Sequence, residues 1–167
     1  MRRVALLIVA ACGTDDADLT GNYRVDTAVE SEPCGADAPQ ADPPMFLRFT
    51  EDEFFGARFF SMEVCTDAAG TVCTGGGLFG DSFSEPIDDG WRGIVTSSGS
   101  GGESDPTCTL FYSSSSALLV NRKLTVESTE YSETVDNTEA LCTTDEAQKR
   151  NLSMPCIRHE KLEASQL

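Results

Sequence analysis

Six cysteines constrain this chain more than any other feature: Cys34, Cys65, Cys73, Cys108, Cys142 and Cys156. They are even in number and scattered, with no CxxC pair, and His159 is the sole histidine, so a zinc site would need thiolates from distant segments. In an oxidising compartment the pattern implies three disulfides and a domain stapled across its loops. The start of the chain names the compartment. Arg2 and Arg3 make a positive n-region, and Val4 to Ala11 is an unbroken apolar run too short to span a bilayer as a helix. This is the build of a secretory signal peptide. The paired arginines lack the rest of a twin-arginine motif, which points to general secretion.

The run ends in Val9-Ala10-Ala11-Cys12, the seventh cysteine. The tetrad resembles the bacterial lipobox, an aliphatic residue and two small ones before an invariant cysteine. The resemblance implies that residues 1–11 are removed and that Cys12 is diacylated on sulfur, becomes the new N-terminus and is acylated again. A single acyl chain binds a bilayer marginally, but each buried methylene adds about 0.8 kcal/mol, so two or three chains hold firmly. Gly13 stands where enterobacterial lipoproteins carry an aspartate for inner-membrane retention. The resemblance therefore implies a lipid-anchored protein of the bacterial cell envelope, in the outer membrane rather than the inner, with the bilayer as its first partner.

The mature chain, residues 12–167, divides into a tether over 12–18 and a single β domain over 19–167, long enough for a real core. Removing Arg2 and Arg3 leaves 10 basic residues against 28 acidic ones, a net charge of −18. Such a surface repels phosphate backbones, which excludes nucleic acid as a partner. No later stretch is apolar enough to cross a membrane.

Alternation sets the strands. Tyr23, Val25, Thr27 and Val29 form one face of the first strand. Glu32 to Pro44, with four prolines, is a loop. Met45, Leu47 and Phe49 share the next face, and Phe60, Met62 and Val64 the one after. Asp67-Ala68-Ala69-Gly70-Thr71 has the chemistry of a three-residue hairpin loop, with Gly70 at the left-handed position. That register sets Cys65 opposite Cys73, close enough to bridge. Trp91–Thr96 is a strand. Thr107–Tyr112 and Ala117–Val120 are two strands, or one interrupted by four serines. Asn121-Arg122-Lys123 turns into Leu124–Thr134. The one helical candidate is Asp136–Asn151, capped by Asp136 or, from a second start, by Thr143 with Glu146. Pro155 stops it, and Cys156–Leu162 is a last strand. If that strand runs antiparallel beside the first, Cys156 falls near Cys34, and Cys108 is left for Cys142.

The expected fold is all-β: an antiparallel barrel or a β-sandwich of about eight strands, with one short C-terminal helix, stapled by disulfides. The Gly21-Asn22-Tyr23 opening, the meander, the late helix and the last strand together resemble the lipocalin-like barrels. There a Gly-x-Trp opens the first strand and a late arginine packs over the Trp. The resemblance implies that Tyr23 takes the place of the Trp and that Arg158 or Arg122 is the arginine. In a barrel of this size Tyr23, Met45, Phe49, Phe60, Met62, Trp91 and Tyr112 line a cavity for one small apolar ligand, or else form an ordinary core.

Phe79-Gly80-Asp81-Ser82 resembles the first block of GDSL-type hydrolases, in which Ser82 would be the nucleophile. Serine needs a histidine base. That family's Asp-x-x-His block is not matched at His159, because position 156 is Cys. Asp16–Gly21 lacks the closing glutamate of a calcium loop at Thr27. Glu51-Asp52-Glu53 and Asp88-Asp89 are turn acids in a very acidic chain rather than a glycosidase pair. The expectation is a non-enzymatic envelope lipoprotein, with no metal or cofactor, that binds a small apolar ligand or another envelope component. The alternatives are a secreted hydrolase using Ser82 and a purely structural or protein-binding module.

Overall fold

A computed structural model describes residues 17–75, 82–102 and 105–167. The leader, Cys12 and the Phe79-Gly80-Asp81 part of the GDSL-like block lie outside the described residues. In chain order the strands are β1 (Gly21–Ser31), β2 (Ala38–Pro39), β3 (Phe46–Phe54), β4 (Ala57–Cys65), β5 (Cys73–Gly75), β6 (Ser82–Phe83), β7 (Glu85–Ile87), β8 (Gly90–Gly99), β9 (Thr107–Val120), β10 (Lys123–Asp136) and β11 (Cys156–Gln166). One helix, α1 (Thr144–Arg150), and a 3-10 turn at Asn151–Ser153 precede β11.

The strands form one antiparallel sheet in the order β5-β4-β3-β1-β11-β10-β9-β8-β7. It curls as a half-barrel, not as two stacked sheets, and its edges are bridged by one segment. β6 pairs with β4 (Phe60 with Phe83, Ser61 with Ser82), while β7 pairs with β8 and the Ser84 amide donates to the Arg92 carbonyl at 3.0 Å. Gly93 permits the bridge: a Cβ there would sit 2.0 Å from the Ser82 carbonyl oxygen. The bridge covers Phe60 and Ser61 of β4 and Gly90–Arg92 of β8, and so shortens the open edges that a flat sheet would expose.

Local chemistry explains the connections. The Asp67 carboxylate accepts from the Thr71 and Val72 amides and the Thr71 hydroxyl, and Gly70 takes φ +65°. Those bonds hold the Asp67 carboxyl below its usual range, the Thr71 amide contributing most. Between β9 and β10, Asn121 (φ 52°) and Arg122 (φ 64°) make a two-residue turn of the twisted kind that hairpins prefer. The four serines do not interrupt β9, which runs through them in register with β8 and β10.

Three details differ from the alternation. A bulge between Val25 and Thr27 shifts the phase of β1, so Ala28 replaces Thr27 on the inner face, opposite Leu162. Met45 precedes β3 and is 63% exposed. The helix begins at Thr143, whose hydroxyl accepts from the Glu146 amide at 3.0 Å, while Asp136 still belongs to β10. Ala17, within the expected tether, packs on the domain: the Trp91 indole donates to its carbonyl at 2.7 Å.

Two cores result. Inside the curl, Leu19, Tyr23, Phe49, Phe60, Trp91 and Leu124 are buried with their neighbours. On the outer face of the far halves of β9 and β10, Cys108, Leu110 and Tyr112 pack against Ala147 of α1 and Met154. The strands serve both cores by parity. Leu124, Val126 and Ser128 of β10 share the inner face with their partners Leu119, Ala117 and Ser115, and Tyr131 and Val135 share the outer face with Tyr112 and Cys108.

Candidate functional site

The inner face changes character along the strands. Where β1 begins and β9 turns into β10, it is solid. Tyr23 is fully buried, its ring edge-on to Phe49 at 5.8 Å, and its hydroxyl donates to the Leu19 carbonyl at 2.7 Å. Burial pushes the Tyr23 phenol up to about 12, with the Asp18 carboxylate adding to the shift. At the other end the inward rows turn polar. On β11, Ala164 and Leu162 give way to Glu160 and Arg158; on β10, Leu124 and Val126 give way to Ser128 and Glu130; each pair lies in register.

That end holds an open cleft of about 580 Å³. Met62, Val64, Phe83, Val126 and Leu162 make its apolar floor and wall. Its polar side is Arg158, Glu160, Glu130 and Gln40, with Ser115 and Ser128, whose hydroxyls bond at 2.9 Å. Asp42, Pro43, Pro44 and Met45, from the loop before β3, form the rim. The polar layer is loosely tied. Gln40 Nε2 donates to Glu160 at 2.9 Å, but Arg158 lies 3.7 Å from Glu30 and 3.8 Å from Glu160. Gln40 Oε1 and Arg158 Nε have no hydrogen-bond partner among the described residues. A concave site of this size with a few polar groups over an apolar floor is the ordinary form of a small-molecule site.

The seven cavity candidates divide. Met45 and Met62 line the cleft. Tyr23, Phe49, Phe60 and Trp91 fill the solid end, and Tyr112 belongs to the outer core under α1. The late arginine over the first-strand aromatic is also corrected. Arg158 faces Glu30 and Glu160, and Arg122 donates to the Leu167 carbonyl. The guanidinium over aromatic rings is that of Arg58, 5.0 Å from the Phe60 centroid and 5.5 Å from that of Trp91. Alternation reaches the missed residues Gln40, Glu130 and Glu160 only in part: the polarity gradient along β10 and β11 is readable, while Gln40 comes from the loop before β3.

The disulfides are Cys34–Cys156, Cys65–Cys73 and Cys108–Cys142. Cys65 lines the cleft, and Cys34–Cys156 ties the loop after β1 to the start of β11, close to Arg158. Cys108–Cys142 ties the segment before α1 to β9.

Ser82 lies on β6 beside Ser61, and His159 on β11 between Ser31 and Thr129. β11 is four strands from the Ser82–Ile87 segment in both directions around the sheet. Both ring nitrogens of His159 are engaged, Nδ1 with Asp37 at 2.9 Å and Nε2 with Glu127 at 3.1 Å. Asp37 and then Glu127 raise the imidazole above its usual pKa. Glu51, Asp52 and Glu53 lie on β3 rather than on a turn, Glu51 paired with Arg58, whereas Asp88 and Asp89 form the turn between β7 and β8. Among the described residues no group of three or more His, Cys, Asp or Glu is placed to hold a metal ion. No protein-family model, curated protein or solved structure matches the chain.

Proposed function

We propose that the protein is a lipid-anchored envelope lipoprotein, non-enzymatic, whose β domain holds a small, largely apolar ligand in the cleft between Met62, Val126, Leu162 and Arg158. The cleft of about 580 Å³ carries this reading. An interior that needed only stability would continue the apolar rows to the end of the strands, as the solid end does. The anchor rests on the lipobox resemblance at Cys12. A hydrolase centred on Ser82 gains no support from the described residues, because His159 is remote from it and already held by two carboxylates.

Two measurements test the reading. Intact mass of the native protein should show loss of residues 1–11 and added acyl mass. Native mass spectrometry of the Cys12→Ser chain, secreted by its own host, should show a co-purified small molecule. A clean apo mass, with no thermal shift across fatty acids, long-chain alcohols and amines, would favour a purely structural or protein-binding module. Esterase activity lost in Ser82→Ala would favour the hydrolase instead.

A further inference from the structure

We infer that the cleft selects amphiphiles whose polar head is cationic and donates hydrogen bonds, and discriminates against carboxylates. The inference deepens the ligand-binding reading and rests on it. Of the described residues lining the cleft, Asp42, Glu130 and Glu160 are acidic and Arg158 is the one base, three negative charges against one positive. Arg158 keeps one unpartnered donor, Nε, among the described residues, but an anionic head placed there would lie beside carboxylates. Glu30 and Glu160 flank its guanidinium at 3.7 and 3.8 Å, so an incoming carboxylate meets a cation already shared between two like charges. Glu130 pairs with Arg158 across the β10–β11 ladder and has no ion pair of its own among the described residues. Beside that Nε, the remaining polar capacity among the described residues is acceptor: the Glu130 carboxylate and Gln40 Oε1, which lacks a donor. An ammonium head is compact and carries three donors. It can answer several of these acceptors while its alkyl chain lies on Met62, Phe83, Val126 and Leu162. The walls exclude water on one side, so the charge preference is screened less than on the open surface.

The test compares octylamine, 1-octanol and octanoate, which share one apolar tail, by calorimetric titration of the Cys12→Ser chain in 0.15 M salt. Octylamine is expected to bind at least tenfold more tightly than octanoate, with 1-octanol between. In the Glu130→Gln/Glu160→Gln chain the ratio should fall at least tenfold, and in Glu130→Gln alone by part of that. Asp145→Asn, an exposed change on α1, should leave it unaltered and so sets aside simple attraction to an acidic surface. Octanoate binding as well as octylamine, or a ratio equally insensitive to Glu130 and Asp145, would overturn the selectivity and keep the ligand site. Failure of all three tails to bind would instead remove the ligand site itself.

Discussion

The two ends of the curled sheet are built from the same strands and held together differently. At the closed end Tyr23, Phe49, Phe60 and Trp91 interlock, and among the described residues no cysteine belongs to that core. At the open end the inward positions of β10 and β11 are Ser128, Glu130, Arg158 and Glu160, and two disulfides, Cys34–Cys156 and Cys65–Cys73, stand beside the gap. Apolar packing and covalent cross-links substitute for each other. Where polar side chains take the inward positions, a disulfide adds stability by restricting the unfolded state.

The sharpest way to break the contrast is to cut each kind of support. Phe60→Ala empties the closed end and is expected to lose about 3–5 kcal/mol of unfolding free energy. Ser115→Ala at the open end removes one hydroxyl contact and should lose about 1 kcal/mol or less. Urea unfolding of the two variants measures both, and equal losses would mean that the open end is packed like the closed one.

Among the cross-links, loop length decides. Cys34–Cys156 closes a separation of 122 residues and Cys65–Cys73 one of 8. Loop-closure entropy alone then gives about 5 kcal/mol for the first and about 2.5 kcal/mol for the second. Paired Cys→Ser variants should reproduce that order in urea. A reversed order would show that the short bridge acts on the native cleft rather than on the unfolded chain.

The bridge between the sheet edges is a smaller target. Gly93→Ala drives a methyl group into the Ser82 carbonyl, for an expected loss of about 1–3 kcal/mol. Hydrogen exchange should report it as lost protection over Ser82–Ile87 while β9 and β10 keep theirs. Uniform loss across all strands would mean that the bridge is part of one indivisible fold.

The smallest effect is a pH dependence on the outer wall of the open end. His159 joins Asp37, on the segment between β1 and β3 that also supplies the cleft rim, to Glu127 on β10, and Lys161 is the nearest base on that face of β11. Its pKa is raised in the fold. The stabilisation is therefore fully present below the ordinary imidazole value of 6.5 and is lost as pH rises through the higher folded value. The melting temperature of the native chain minus that of His159→Ala should fall over that window. A difference that does not change with pH would show that the imidazole acts as a neutral bridge.

Much of this was legible in residue order because it is local. Hairpin chemistry at Asp67–Thr71 sets the register that places Cys65 on Cys73, and Thr143 with Glu146 carries its own cap. Alternation marked the strands and Pro155 the end of the helix, since both are properties of neighbouring residues. All-β character, one late helix and a stapled domain follow from these alone. Curl rather than stacking was decided by contacts far apart in the chain: the β1–β11 and β4–β6 pairings, and the bare Cα of Gly93 that lets β6 approach. The bulge at Asp26 flips the rest of β1, so one misplaced residue reassigns Thr27, Ala28 and Val29 between inside and outside. Core and cavity use the same kinds of side chain, and only closure of the strands determined that Phe60 fills one end while Arg158 and Glu160 border a gap at the other.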